Sequence, residues 1–351
     1  MVRVSLKHGI NSSSCEAFSL YGSILCAYGK LQEGRRMSKI VDLILARHDI
    51  DDRAIRSRSI SYVGFINHWT APLQEFISPL LEGYQLGLRC GDNISAAHSL
   101  CCRMIMLYCM GRPLADVYQE IKTNIDAITK LNVTEHLLVS QAYLEAVETL
   151  TGFNDDDCSS CHINICPPTP SECLDSFQII ARLEVSVFLA NLDDATDLLL
   201  EAGDLSPQLG GLITKAQFIF LEAFISIQAA RTEATWKKKR KWKRRAMKSV
   251  KIIRGWVKKG NVNLVHRLHL LEAELAALEG KNAKAISNYK SAITVACENG
   301  FIQDVGLSHE YASSFFGSIG DEDNEEYHME QCKEYYSQWG ATAKIEKLTN
   351  D

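Results

Sequence analysis

Apolar side chains return at helical intervals along most of this chain, and the clearest run lies between Leu268 and Leu348. Leu268, Leu271, Leu275 and Leu278 make one stripe, Gly280-Lys281-Asn282 interrupts it, and Ile286, Tyr289, Ile293 and Ala296 make a second. A shift of forty residues lays this pair over the next: Gly280 on Gly320, Tyr289 on Met329, Ala292 on Cys332, and Gly300 on Gly340. A fixed shift of this kind marks stacked helix pairs, and small Ala273, Ala285 and Ala292 let paired helices approach closely.

The same alternation predicts helices through the rest of the chain. Met1 to Gly9 reads as the last turns of a helix, so the chain opens as if cut. Ser13 and Ser14 are the expected cap of a helix over 15–28, followed by helices over 31–46 and 52–67. Pro72 suits a first turn, and Pro79 predicts a kink or break near Ser78. Asp92 or Asn93 starts the next helix, to Met110. Leu114, Val117, Ile121, Ile125 and Ile128 line its partner, and a further helix covers 134–150. Helices over 174–190, 193–203, 208–230 and 236–259 precede the repeats, and Asp321 to Glu326 reads as an acidic turn in water. The fold class expected is all-α, a tetratricopeptide-like α-α superhelix, although such units usually repeat at ~34 residues. Residues 1–150 form its N-terminal half. Residues 151–173 are an acidic, Cys- and Pro-containing loop insert, and 174–351 the C-terminal half, with two helix pairs over 263–348.

Composition alters this picture little. With 46% hydrophobic and 23% charged residues the 351-residue chain is that of an ordinary folded protein. No apolar run approaches the ~18 to 20 residues of a membrane span. Twelve cysteines without a secretory signal point to reduced thiols and a cytoplasmic setting, with Cys26, Cys101, Cys109, Cys297 and Cys332 expected on buried faces.

Charge is uneven. From Lys237 to Lys259 there are thirteen basic side chains, and no acid occurs between Glu233 and Glu272. Trp242, Ala246, Val250, Ile253 and Val257 fall on one helical face, so this helix can dock by its apolar side. Its cations are then presented outward: Lys237, Lys238, Lys239, Arg240, Lys241, Lys243, Arg244, Arg245, Lys248 and Lys251. That face suits an acidic partner or a phosphate surface, by electrostatic anchoring to nucleic acid or anionic membrane, and equally it is what a solvated helix looks like. In the insert, Cys158, Cys161, His162, Cys166 and Cys173 are candidate zinc ligands by residue type, without the second tight Cys-x-x-Cys pair of most zinc sites. Cys158 to His162 also matches haem-attachment spacing. His68-Trp69 reads as a packed corner, and His98, His266 and His269 show no carboxylate or cysteine companion at ligand spacing. Phosphate-loop, kinase and phosphoacceptor motifs are absent, so no catalytic residue and no cofactor is expected.

Three segments carry a resemblance. Glu298-Asn-Gly-Phe-Ile-Gln-Asp with Gly306-Leu-Ser-His-Glu-Tyr-Ala and Tyr336-Ser-Gln-Trp-Gly-Ala-Thr-Ala-Lys-Ile-Glu-Lys-Leu is the first. Gly64-Phe-Ile-Asn-His-Trp-Thr-Ala-Pro-Leu and Leu270-Leu-Glu-Ala-Glu-Leu-Ala are the others. Together they resemble the superhelical region that follows the AAA-type ATPase module in large kinase-like and sensor histidine kinase signalling proteins. The resemblance implies a non-catalytic interaction or signal-relay module in a phosphorelay, with a concave face gripping a protein partner. It also leaves open a freestanding paralogue, or a fragment of a histidine kinase or nucleotide cyclase whose catalytic domains lie elsewhere.

Overall fold

The computed structural model describes residues 2–11, 13–47, 60, 64–153 and 172–350, and among them every regular element is helical. In order these are α1 (Val2–His8), α2 (Ser13–Ala27), α3 (Leu31–Arg47), a 3-10 turn (Leu73–Phe76) and α4 (Ile77–Cys90). Then come α5 (Asn93–Cys109), α6 (Leu114–Leu131), α7 (Thr134–Thr151), α8 (Glu172–Phe188), α9 (Leu192–Ala202) and α10 (Ile213–Thr232). The chain ends with α11 (Trp236–Lys258), α12 (Val265–Leu278), α13 (Asn282–Glu298), α14 (Ile302–Ser318), α15 (Glu322–Trp339) and α16 (Thr342–Asn350).

One device punctuates the C-terminal half. Gly260, Gly280, Gly300, Gly320 and Gly340 all take positive φ, between 68° and 99°. At each, the glycine N–H and the N–H of the following residue turn back onto the last carbonyls of the helix, as in Gly300 to Cys297 (3.2 Å) and Phe301 to Ala296 (2.9 Å). A Cβ would disfavour that left-handed turn, so a glycine every twenty residues ends each of the helices α11 to α15.

Local chemistry moves several predicted boundaries. Asn11, not a serine, caps α2: its Oδ1 accepts from the Ser14 N–H (3.2 Å) while the Ser14 hydroxyl accepts from the Asn11 N–H (3.1 Å). The break expected near Ser78 falls between Phe76 and Ile77, which places Pro79 in the first turn of α4, where its missing N–H costs nothing. Helix α10 starts at Ile213 rather than 208. Asp321 to Glu326 is not a turn. Asp321 caps α15, its Oδ1 accepting from the Asn324 N–H (3.3 Å), and the acids that follow lie in the first turn, where the helix dipole favours them. Most of the helix expected over 52–67 lies outside the described residues, but 64–67 are helical.

Inner helices α10, α12 and α14 stack on one another, and α11, α13 and α15 pair with them on the outside. Ala273, Ala285 and Ala292 are wholly buried at these contacts, whereas Ile286 and Cys297, expected inside, are exposed. The inner helices are covered on their other side too. Gln303 on α14 donates to the Cys109 carbonyl (2.9 Å), and α16 packs on α7. Asn263 Nδ2 donates to the His68 and Ala71 carbonyls (both 2.8 Å). One contiguous core therefore runs from Cys26 to Ala341 across both predicted halves. Helices α5, α7 and α8 thus pack with the later helices through contacts to α14, α16 and α10 respectively.

Candidate functional site

Helix α11 forms against its own electrostatics. Its 23 residues carry twelve Lys and Arg and no acid, so neighbours one turn apart repel, and five of the cations crowd the N-terminal turns, where the helix dipole disfavours them. Packing holds it instead: Ala246, Val250, Ile253 and Trp256 are buried against the core, with Trp242 and Val257 packed beside them.

Two kinds of cation follow from position on the helix. Those on the flanks meet carboxylates of neighbouring helices. Arg245 Nε lies 2.9 Å from Glu222, whose other oxygen accepts from Ser249 Oγ (2.5 Å). Lys243 Nζ lies 2.6 Å from Glu279, and Arg254 binds Glu272 through Nε (3.0 Å) and a terminal nitrogen (2.7 Å). Hydrogen bonds from Lys243 and Lys281 hold the Glu279 carboxyl down at about 2. The crest is different. Lys237, Lys241, Arg244, Lys248, Lys251 and Lys258 follow one another at helical spacing on the side opposite the buried stripe, all exposed, and among the described residues only Lys248 has a carboxylate near it, that of Asp204, whose pKa its charge helps to lower. At about 1.5 Å per residue this row is about 31 Å long. Lys238, Lys239 and Arg240 widen it at the N-terminal end. Of the ten cations expected to face outward, Lys243 and Arg245 are thus tied into ion pairs, Lys238 and Lys248 lie near the carboxylates of Glu233 and Asp204, and the other six have no carboxylate beside them among the described residues.

The other candidates sort plainly. Cys158, Cys161, His162 and Cys166 lie outside the described residues, as does the side chain of Cys173, although Cys173 itself is within α8 rather than in a loop. Among the described residues no group of three or more His, Cys, Asp and Glu is placed to hold a metal ion. The His68-Trp69 corner is built as expected. The Trp69 indole donates to the Gly211 carbonyl (2.9 Å) and meets Trp256 edge-on at 4.9 Å, while His68 Nδ1 sits 2.8 Å from the Gly64 carbonyl.

Two histidines do have companions, contrary to the sequence reading. His266 Nε2 lies 2.8 Å from Asp304 Oδ2, which also accepts from Arg267 Nε (2.9 Å), and the Arg267 guanidinium extends to 3.7 Å from Glu184. His98 lies 3.0 Å from His136 and 3.4 Å from Cys102 Sγ. Cys102 stands one helical turn from His98, a spacing legible in the sequence, whereas His136 and Asp304 are each 38 residues from their histidines, close to the period of the repeat. The Glu184-Arg267-Asp304-His266 cluster looks catalytic in composition but is sealed. Burial raises the Glu184 carboxyl to about 7 and pushes the Cys109 thiol up, and the adjoining cavity, of about 30 Å³, admits a water and no substrate. It ties α8, α12 and α14 together. Glu274 does the same for Gln228 (2.7 Å) and Arg231 (2.8 Å), as does Glu310 for Tyr336 (2.7 Å) and Lys344.

A cleft of about 620 Å³ between α7 and α8 is lined by Glu145, Thr149, Asp175, Gln178 and Arg182 among others, with no His or Cys. Among the described residues no helix is long and apolar enough to cross a membrane. No family model matches the chain, and no curated protein matches it either.

Proposed function

We propose that this chain is a non-catalytic helical-repeat interaction module and that it engages anionic partners through the crest of α11. The observation that supports this reading is the separation of α11's cations into two sets. Three flank cations, Lys243, Arg245 and Arg254, are neutralised by carboxylates of neighbouring helices, yet the crest keeps six exposed cations in single file, of which only Lys248 has a carboxylate, Asp204, nearby. A surface serving solubility alone mixes both signs. The apolar stripe of α11 is consumed by the core, so the helix cannot insert into a bilayer, and a surface contact with a polar, anionic partner remains. A place in a signalling relay rests on the resemblance of the segments 64–73, 270–276, 298–312 and 336–348.

Fluorescence anisotropy with labelled polyglutamate tests the binding role. Binding should weaken steeply with added salt, and K237E/K241E/R244E/K248E should lower affinity by at least about tenfold, as loss of several charge contacts demands. Equal affinity of that variant and the native chain would remove the crest as the binding surface.

A further inference from the structure

Resting on the reading of the crest as a binding surface, we infer that its partner is a second copy of this chain, docked face to face through the outer helices α11, α13 and α15. These three helices carry a graded charge. Helix α11 has twelve cations and no acid, α13 has Lys284, Lys290 and Glu298, and α15 has six acids against one lysine, Lys333. On α15, Glu322, Asp323, Glu326 and Glu330 are exposed and lack a basic partner among the described residues. A shallow groove of about 490 Å³ runs along Glu322, Glu325, Glu326 and Glu330 beside Ser313 and Met329, with Lys333 as the one cation in its lining. The chain thus displays a cationic ridge and an acidic groove on the two outer helices that flank α13.

Symmetry turns this into a specific arrangement. A two-fold axis lying along α13 exchanges left and right on the outer face, so the ridge of each copy meets the groove of the other, twice per dimer. The same rotation keeps the ends of the helices matched. The charge-rich parts of α11 and α15 are both N-terminal, following the turns out of α10 and α14, and so lie at the same end of the stack. The periods agree as well: Lys237, Lys241, Arg244 and Lys248 span about 16 Å of axis, and Glu322, Glu326 and Glu330 about 12 Å. Close to these rows, Trp236 is 65% exposed and Tyr327 52% exposed, two large aromatics of the kind that anchor interfaces. The middle of the face carries little net charge: Ala283, Ile286, Ser287, Thr294 and Cys297 are exposed on α13 beside Lys284, Lys290 and Glu298. Because the rim is ionic, the dimer is weak and sensitive to salt.

Sedimentation equilibrium or light scattering on the purified chain at about 50 µM reads the mass directly. The native chain should be dimeric at low salt and monomeric near 1 M salt, where the screening length falls from about 10 Å at 0.1 M to about 3 Å. K237E/K241E/R244E/K248E makes both charged rows negative, and E322K/E326K/E330K makes both positive, so each variant alone should stay monomeric. Mixed one to one they should form a heterodimer, because both contacts become attractive again, and that recovery shows that both variants are folded. A native chain monomeric at low salt, a mass that climbs past two copies, or a mixture that stays monomeric overturns the proposal. If the chain is monomeric yet binds polyglutamate through the crest, the dimer fails and the anion-binding reading stands; if neither occurs, both fall.

Discussion

Acid should unfold this protein through its histidines, in a way the structure makes quantitative. Burial lowers His68 and His309 to about 4 and His98 to about 3, the last two also disfavoured by the charge of a neighbouring histidine. His136, His266 and His328 are lowered in the same direction by burial. An unfolded histidine titrates near ~6.5, so below that pH the unfolded chain binds protons that the folded chain refuses. Glu184 works the other way, since burial raises it from 4.5 to about 7, and unfolding releases its proton between those limits. At about pH 5.5, His68, His98 and His309 together take up roughly 2.7 protons on unfolding and Glu184 releases roughly 0.9, a net of about 1.8. Stability, full on this account above about pH 7, should therefore fall by about 2 to 3 kcal/mol per pH unit there. Urea unfolding followed by circular dichroism between pH 5 and 7.5 measures the slope. H98N should reduce it by about one proton, and E184Q should steepen it by about one. A stability that is flat or rising as the pH drops from 6.5 to 5.5 would refute the claim that these imidazoles are held neutral.

Further outcomes follow from single contacts. Asp304→Asn leaves Arg267 buried with Glu184 alone at 3.7 Å and should cost about 3 to 5 kcal/mol by chemical denaturation, much of it recovered by adding R267M. Gly300→Ala meets open space but forces a left-handed turn on a residue with a Cβ, for about 1 to 2 kcal/mol, and Gly320→Ala should match it. Gly306→Ala should cost more than either in the same assay, because its Cβ would fall 2.9 Å from the Tyr336 ring. Trp69→Phe removes the indole bond to the Gly211 carbonyl and should lower stability by about 1 to 3 kcal/mol, read as an earlier urea midpoint.

The sequence by itself determined that this is a stack of helices and where most of them stop. The stripe of Leu114, Val117, Ile121, Ile125 and Ile128 is buried as its spacing requires, and the recurring glycines end helices α11 to α15. Both are local facts, set by a 3.6-residue period and by the steric cost of a Cβ at positive φ. The amphipathic character of α11 was legible for the same reason, as was the density of its charge. Tertiary structure decided which cations are free. Glu222, Glu272 and Glu279 come from other helices, so nothing in residues 237–259 separates Arg245, which is paired, from Arg244, which is not. Likewise, a histidine joined to an aspartate 38 residues away, and a single core shared by the early and the late helices, depend on how pairs stack across the whole length. Periodicity states that a face must be covered. Only the packed chain states by what.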